Sequence, residues 1–215
     1  MHARDAGFWK REVAWLIDAL LVGAVVNLLL SLPLGLLGMA GGAALATLPG
    51  EAWSALSGGA GIEVLRPLLW NLLRLLAGVA VLATGLYALL GWLYFAAMES
   101  SPRQATLGKL ALGIRVVGRD GARISFARAS ARFFAAALSW LSLNLGHALA
   151  AWTRERRALH DFVAATWVVD ASADPDPGLP DWVRVLVALQ LALAGVLLLL
   201  PLLLAALLVG GAASF

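Results

Sequence analysis

Residues 13–39 read VAWLIDALLVGAVVNLLLSLPLGLLGM, an apolar run holding one carboxylate, Asp18. A bilayer core about 30 Å thick needs about 20 apolar helical residues at about 1.5 Å rise each, and this run exceeds that. A secretory leader is the competing reading, but its apolar core covers about 7–15 residues; this run is longer and carries an acid. A transmembrane helix is therefore expected. The whole chain agrees. Its 215 residues are 61% hydrophobic and 13% charged, against about 45–50% and about 25% in soluble domains. Mean hydropathy is +0.86. The absence of cysteine excludes a disulfide-stapled secreted module and thiolate chemistry.

Three more stretches are apolar enough to matter. Pro67 to Met98 is broken by Asn71 and Arg74. Phe133 to Trp152 carries Ser139, Ser142, Asn144 and His147. Val185 to Val209 holds Gln190 as its only strongly polar residue. Lys and Arg mark the cytoplasmic side of such helices. Arg4, Lys10 and Arg11 precede the first run, and Lys109 with Arg103, Arg115, Arg119, Arg123, Arg128 and Arg132 separates the second from the third. The 40–66 loop has only Arg66 against Glu51 and Glu63. The N-terminus and the 99–132 loop are thus expected in the cytoplasm, with the 40–66 loop outside. That distribution accounts for a pI near 9.9 as a topology signal, and no recognition motif supports nucleic-acid binding.

The 133–152 stretch has two readings. Arg132 stands at one end and Arg154, Arg156 and Arg157 at the other. Basic residues at both ends suit a re-entrant hairpin with its tip near Asn144 and Gly146, sheltered from lipid by the other helices. The length also suits a plain crossing. The choice sets the side on which the C-terminus lies. Gly113–Ile–Arg–Val–Val117 and Thr166–Trp–Val–Val169 are short β-favouring runs, the first followed by the turn signal Arg119–Asp120–Gly121. Their pairing would put both on the cytoplasmic side and favour the hairpin. Asp170 to Asp181, with Pro175, Pro177 and Pro180, reads as a solvated linker. The expected fold class is an all-α integral membrane protein, with three to four transmembrane helices and a small cytoplasmic β-ribbon. A membrane domain covers 7–170, an acidic Pro-rich linker 171–184, and an additional C-terminal helix 185–209.

Asp18 is the most informative candidate, because an intramembrane carboxylate must face protein or water. Arg11 shares its helix face but lies about 10 Å away along the axis, so a partner is expected from Arg132, Lys109 or Arg115. Asp18 reads either as a buried group that fixes helix docking or as a titrating transport residue. Arg11, with Lys10, Trp9 and Trp15, reads as an interfacial anchor, and Arg74 likewise at the outer end of the second helix. His160 and Asp161 are adjacent, so on a helix they point about 100° apart. No nucleophile motif or second His–carboxylate pair accompanies them. No enzyme activity, cofactor or metal is expected. Gln104–Ala–Thr–Leu–Gly–Lys109 has one glycine and no hydroxyl after its lysine, which excludes a phosphate loop. Thr106 and Gly108 are expected to cap and turn the chain, with Lys109 at the headgroups.

Taken in order, the motifs form a set. Phe8–Trp–Lys–Arg11 with Ala14, Trp15 and Asp18 comes first. Glu99, Gln104-x-Thr106-x-Gly108–Lys109, Gly113–Val117 and Asp120–Gly121 follow. Arg132, Arg156–Arg157–Ala–Leu–His160–Asp161 and Ala165–Val169 close it. This set resembles the RDD family of membrane proteins over residues 7 to 170. The resemblance implies that Arg11, Asp18 and Asp161 are the namesake residues, accompanied by Thr106, Gly108, Lys109, Arg132 and His160. The long Gly/Ala-rich 40–66 loop and the helix after Asp181 depart from the usual pattern. For function the resemblance implies transport of a small ion or solute, with cation–proton exchange suggested for some members. Asp18 would then titrate behind a gate of Arg11, Arg132 and Asp161. The alternative is a non-transporting scaffold or assembly partner whose Arg/Asp set is a structural clamp. The expected surroundings are the lipid bilayer and a homo-oligomer or membrane protein complex. An Ala/Leu/Arg/Gly-rich composition suggests a high-GC bacterium, the resemblance implies the bacterial inner membrane, and the Lys and Arg distribution puts the N-terminus in the cytoplasm.

Overall fold

In the computed structural model, residues 5–46, 50, 61–142, 145–171 and 178–212 are described. Along the chain they form α1 (Phe8–Ala46), α2 (Gly61–Glu99), α3 (Leu107–Ala111), β1 (Ile114–Gly118), α4 (Phe126–Leu141), α5 (Leu145–Trp152), α6 (Leu159–Ala164), β2 (Thr166–Asp170) and α7 (Asp181–Ala212). Two compact units emerge, one made of Met1–Ile17 with Ala96–Phe215 and the other of Asp18–Phe95.

The Asp18–Phe95 unit holds the apolar lengths of α1 and α2. Each of these helices has 39 residues, about 58 Å at 1.5 Å per residue. Their segments Phe8–Ala43 and Leu69–Glu99 are long and apolar enough to cross a membrane. Leu28 and Leu32 are 73% exposed and Val81 is 74% exposed. In water such surface costs about 25 cal/mol per Å², whereas against lipid tails it costs nothing. Inside the unit, the Tyr94 hydroxyl donates to Asp18 Oδ1 at 2.6 Å, and Asp18 is fully buried. Tyr87 donates to the Ala19 carbonyl at 3.5 Å. α1 runs on through Pro33, which removes one helix donor.

In the other unit, β1 and β2 pair antiparallel from Ile114↔Asp170 to Gly118↔Thr166, so the two β-favouring runs do form a ribbon. Both edges are covered, which removes unpaired strand surface. On the β2 side, Asp5 bridges Val169 and the Ala6 amide donates to the Val168 carbonyl at 2.8 Å. On the β1 side, the Val116 amide donates to the Gln104 carbonyl at 2.8 Å. The turn after β1 closes through Gly118 N to Ala122 O at 2.9 Å, with Gly121 at φ +76°, a conformation that glycine adopts without a Cβ clash. Ile114, Val116, Val117, Ile124, Ala129 and Val168 form the ribbon's core.

The 133–152 stretch is two helices. α4 ends at Leu141 and α5 begins at Leu145; Asn144, at the expected tip, lies outside the described residues. Gly146 abuts α4 so closely that a Cβ there would stand 2.9 Å from Ser139 Cα. Residues seven apart in one helix are separated by about 10 Å, so the chain folds back here. α5 has 8 residues, about 12 Å of helix. α7 extends over 32 residues, and Gln190 Nε2 donates to Glu12 Oε1 at 3.3 Å near the start of α1. Of the expected acidic linker, residues 172–177 lie outside the described residues, as do 47–49 and 51–60 of the Gly/Ala-rich loop.

Candidate functional site: a buried cluster of opposite charges

Thr106 sets up the first arm of the site. It is the N-cap of α3, in an extended conformation, and its Oγ1 accepts from the Lys109 amide at 3.4 Å. Capping there is the role expected of Thr106, and Gly108 is buried in the short helix it starts. The turn directs Lys109 inward. Its ammonium pairs with Glu99 Oε1, and the side chain is 9% exposed. This corrects the expectation that Lys109 lies at the headgroups. A buried ammonium is tolerated where a carboxylate meets it, and Glu99, the last residue of α2, supplies one.

Arg132, on α4, holds two carboxylates together. Its Nη1 donates to Glu99 Oε1 at 2.5 Å and its Nε to Asp161 Oδ1 at 2.9 Å. Nη2 lies 3.2 Å from His160 Nε2. A guanidinium only donates, so Nε2 accepts and the His160 proton belongs on Nδ1. That Nδ1 is buried without a hydrogen-bond partner among the described residues. His147, on α5, brings its ring to 5.0 Å from that of His160.

Asp161 is the hub on α6 and is fully buried. Oδ2 accepts from the Ala158 amide at 3.0 Å, one arm of a capping box at the helix start. The same oxygen pairs with Arg11 Nη2, and Oδ1 accepts from Thr166 Oγ1 at 3.3 Å. Arg11 also donates from Nη1 to the Arg156 carbonyl at 2.6 Å. Arg11 is therefore no interfacial anchor; it binds α1 to α6. Lys10 is likewise drawn inward, its Nζ 2.8 Å from Asp170 Oδ1 at the end of β2. The cause is local: with Ala6 hydrogen-bonded to β2, the first turn of α1 lies against the ribbon rather than in headgroups. Beside the cluster, the Arg157 guanidinium lies 4.2 Å from the Phe162 ring centre and 4.1 Å from that of Trp167, a favourable cation–π setting.

The electrostatics follow from this packing. Burial alone would raise the Asp161 pKa, but Arg11 and Arg132 overcome it and hold the carboxyl well below its ordinary range. Burial lowers the His160 pKa well below 6.5, and Arg132 and Arg11 lower it further against the pull of Asp161. The imidazole is neutral. Burial would weaken the Arg132 charge, yet Glu99 and Asp161 raise its pKa above the ordinary arginine value. Such a set holds elements together and exchanges no proton near neutral pH. Among the described residues, no group of three or more His, Asp or Glu could hold a metal ion.

Of the residues picked out from sequence, Arg11, Thr106, Lys109, Arg132, His160 and Asp161 make direct contacts in this unit, and Gly108 is buried beside Lys109. Asp18 belongs to the Asp18–Phe95 unit, where Tyr94 meets it. Arg132 and Lys109, two of its expected partners, face Glu99 and Asp161. Glu99 and Tyr94 were missed as site residues. Glu99 stood in the motif set, and its place between an apolar run and the Thr106 turn was the available signal. Tyr94 carried none, being one aromatic in an apolar helix.

The RDD family model matches residues 5–165. A Bacillus subtilis (strain 168) protein, named as the uncharacterized protein YxaI, is 37% identical over 76 residues, covering 35% of this chain and 50% of that protein. The chain thus spans about half the length of that curated relative. No solved structure matches. The family match runs from the Asp5 bridge through the end of α6 and takes in Arg11, Glu99, Lys109, Arg132, His160 and Asp161, and the chain accordingly belongs to the RDD family.

Proposed function

We propose that this protein is a multi-pass scaffold of the bacterial inner membrane, and that the RDD residues are its internal clamp. One observation carries the reading: Glu99 and Asp161 are each held by two cations from different elements, Lys109 with Arg132 and Arg11 with Arg132. Charges so mutually satisfied lock an architecture and leave no carboxylate there to load and unload an ion. The clamp fixes the ribbon and α6 against the first turn of α1 and the last turn of α2.

The ribbon also supports a topology. β1 precedes the α4–α5 hairpin and β2 follows it, yet the strands pair along their full length. A segment that left β1 on one side of a bilayer and β2 on the other could not allow this. On this reading the hairpin is re-entrant or interfacial, the Lys and Arg bias puts the N-terminus and ribbon in the cytoplasm, and α7 carries the C-terminus outward. The exposed Arg103, Arg115, Arg119, Arg123 and Arg128 then face the cytoplasm as a docking surface for an acidic assembly partner.

A second reading rests on Asp18, a fully buried carboxylate on an apolar helix. Under that reading it binds a small cation or a proton, and the protein transports. Flux by purified protein in liposomes, with Na⁺, K⁺ and a control ion, separates the two. The scaffold shows no cation-dependent proton movement when folded and inserted. Movement that disappears in Asp18→Asn overturns the scaffold in favour of transport.

A further inference from the structure

The α4–α5 hairpin is polar within and apolar without. Arg132 and Ser139 are buried, whereas Phe134 is 58% exposed, Leu138 50%, Leu145 58% and Trp152 73%. From 129 to 153, every exposed residue among those described is apolar. A helix on the surface of a domain in water shows the opposite order, with charge on its outer face. An exposed apolar surface of this kind marks contact with lipid or protein.

The position of the hairpin selects lipid. Arg132 is fixed to Glu99, the last residue of the apolar segment Leu69–Glu99, and through Asp161 to Arg11 in the first turn of α1. α4 thus leaves the charge cluster where two membrane helices end, and their exposed apolar surface continues into its own. From Arg132 to Leu141 it rises about 14 Å, and the 8 residues of α5 cover about 12 Å. Each arm reaches about half of a hydrocarbon core about 30 Å thick.

The tip meets the condition that lipid sets for a backbone, which is internal hydrogen bonding. The Ser142 amide donates to the Leu138 carbonyl at 3.2 Å, and the Leu145 amide to the Ser142 carbonyl at 3.1 Å. Ser142 Oγ donates to the Ser139 carbonyl at 3.0 Å. At the open end, the exposed Arg128 and Arg154 flank the apolar face together with Trp152, residue types that favour the membrane–water boundary.

We propose that the hairpin is a wedge in one leaflet. Its outer face, with Phe134, Leu138 and Leu145, lies among the acyl chains at the end of the membrane helices that holds Arg11 and Glu99, and its tip does not pass the midplane. That this leaflet is the cytoplasmic one rests on the topology proposed above. The scaffold then has a wider lipid footprint in one leaflet than in the other.

The chain has no cysteine, so single introduced thiols read each position in the full-length protein. In proteoliposomes, spin labels on Leu138→Cys and Leu145→Cys should collide more with oxygen than with a water-soluble nickel chelate, and the order should reverse at Asp120→Cys in the ribbon turn. Nickel exceeding oxygen at 138 and 145 would put the face in water, and exclusion of both reagents would put it against protein; either overturns the proposal. Wild type, which requires no variant to fold, should acquire adducts between 129 and 153 from lipid with a photoreactive group on its acyl chains. Adducts on α1 with none on the hairpin overturn the wedge. In spheroplasts, an impermeant maleimide should reach neither Arg128→Cys nor Arg154→Cys until the membrane is opened. Labelling of one alone would show a full crossing and overturn the wedge. Labelling of both would overturn the topology, and with it the cytoplasmic assignment, but not the insertion.

Discussion

Arg132 and Glu99 stand 33 positions apart in sequence, yet Nη1 donates to Oε1 at 2.5 Å in a buried setting. The pair joins the last residue of α2 to the middle of the hairpin's first arm. Breaking a buried pair from one side leaves an uncompensated charge and costs about 3–5 kcal/mol. Glu99→Gln is therefore expected to lower the melting temperature sharply in detergent, with Arg132 and Lys109 both left facing an amide. Glu99→Met combined with Arg132→Met removes both charges and should cost less than the sum of its single changes. A cycle of four melting curves measures this, and additive losses would mean that the two side chains do not couple.

Acid should weaken the fold in two windows. His160 has a folded pKa well below 6.5, so between those values the unfolded chain takes up a proton that the folded one refuses. Stability from the neutral imidazole is complete above 6.5 and falls as pH drops below it. Asp161 has a folded pKa well below 3.8. Its contribution is complete above 3.8 and is lost as pH falls through the folded value. Melting temperature against pH should thus decline below about 6.5 and decline again below about 4. His160→Gln should reduce the first decline and leave the second. A first decline of undiminished size in that variant would assign it to another group.

How much of this was legible beforehand depends on what each residue's neighbours are. The apolar runs that became α1 and α2 announce themselves by length, because lipid imposes a local rule on every residue of a span. The ribbon was legible too, since Ile114, Val116, Val117, Val168 and Val169 carry β-branched character in short runs. The RDD set was readable as a set because its order and spacing are specific. Which charge meets which was not. Lys10, Lys109 and Arg11 look like headgroup residues in a linear chain, and only the docking of the first turn of α1 on β2, and of α3 beside Glu99, turns them inward. That one helix ends at Leu141 and the next begins at Leu145 was only half visible. Asn144 and Gly146 signalled a possible tip, but the close approach of Gly146 to Ser139 is a packing fact with no local signature.

That approach makes Gly146 a sensitive position. A Cβ would stand 2.8 Å from Ser139 Cβ and 2.9 Å from Ser139 Cα, and Cα cannot move without its helix. Gly146→Ala is expected to push α5 off α4 and cost about 1–3 kcal/mol, the usual range for overpacking. Ser139→Gly should restore part of the loss in the double variant. Limited proteolysis should show earlier cleavage between α4 and α5 in the single variant. Unchanged melting and cleavage would mean that the two arms do not touch.

The Tyr94–Asp18 contact is tested by the order of two effects. Asp18→Asn keeps an acceptor for the Tyr94 hydroxyl, now 2.6 Å from Oδ1, and removes a charge that burial disfavours. Tyr94→Phe keeps the charge and removes a donor to it, and hydrogen bonds to charged groups are worth about 1.5–3 kcal/mol. If the contact serves to dock α1 and α2 within their unit, Tyr94→Phe destabilises the protein more than Asp18→Asn does. Melting curves of both variants in the same detergent decide it. The opposite order would show that Asp18 is held by charge-dependent contacts beyond the Tyr94 hydroxyl.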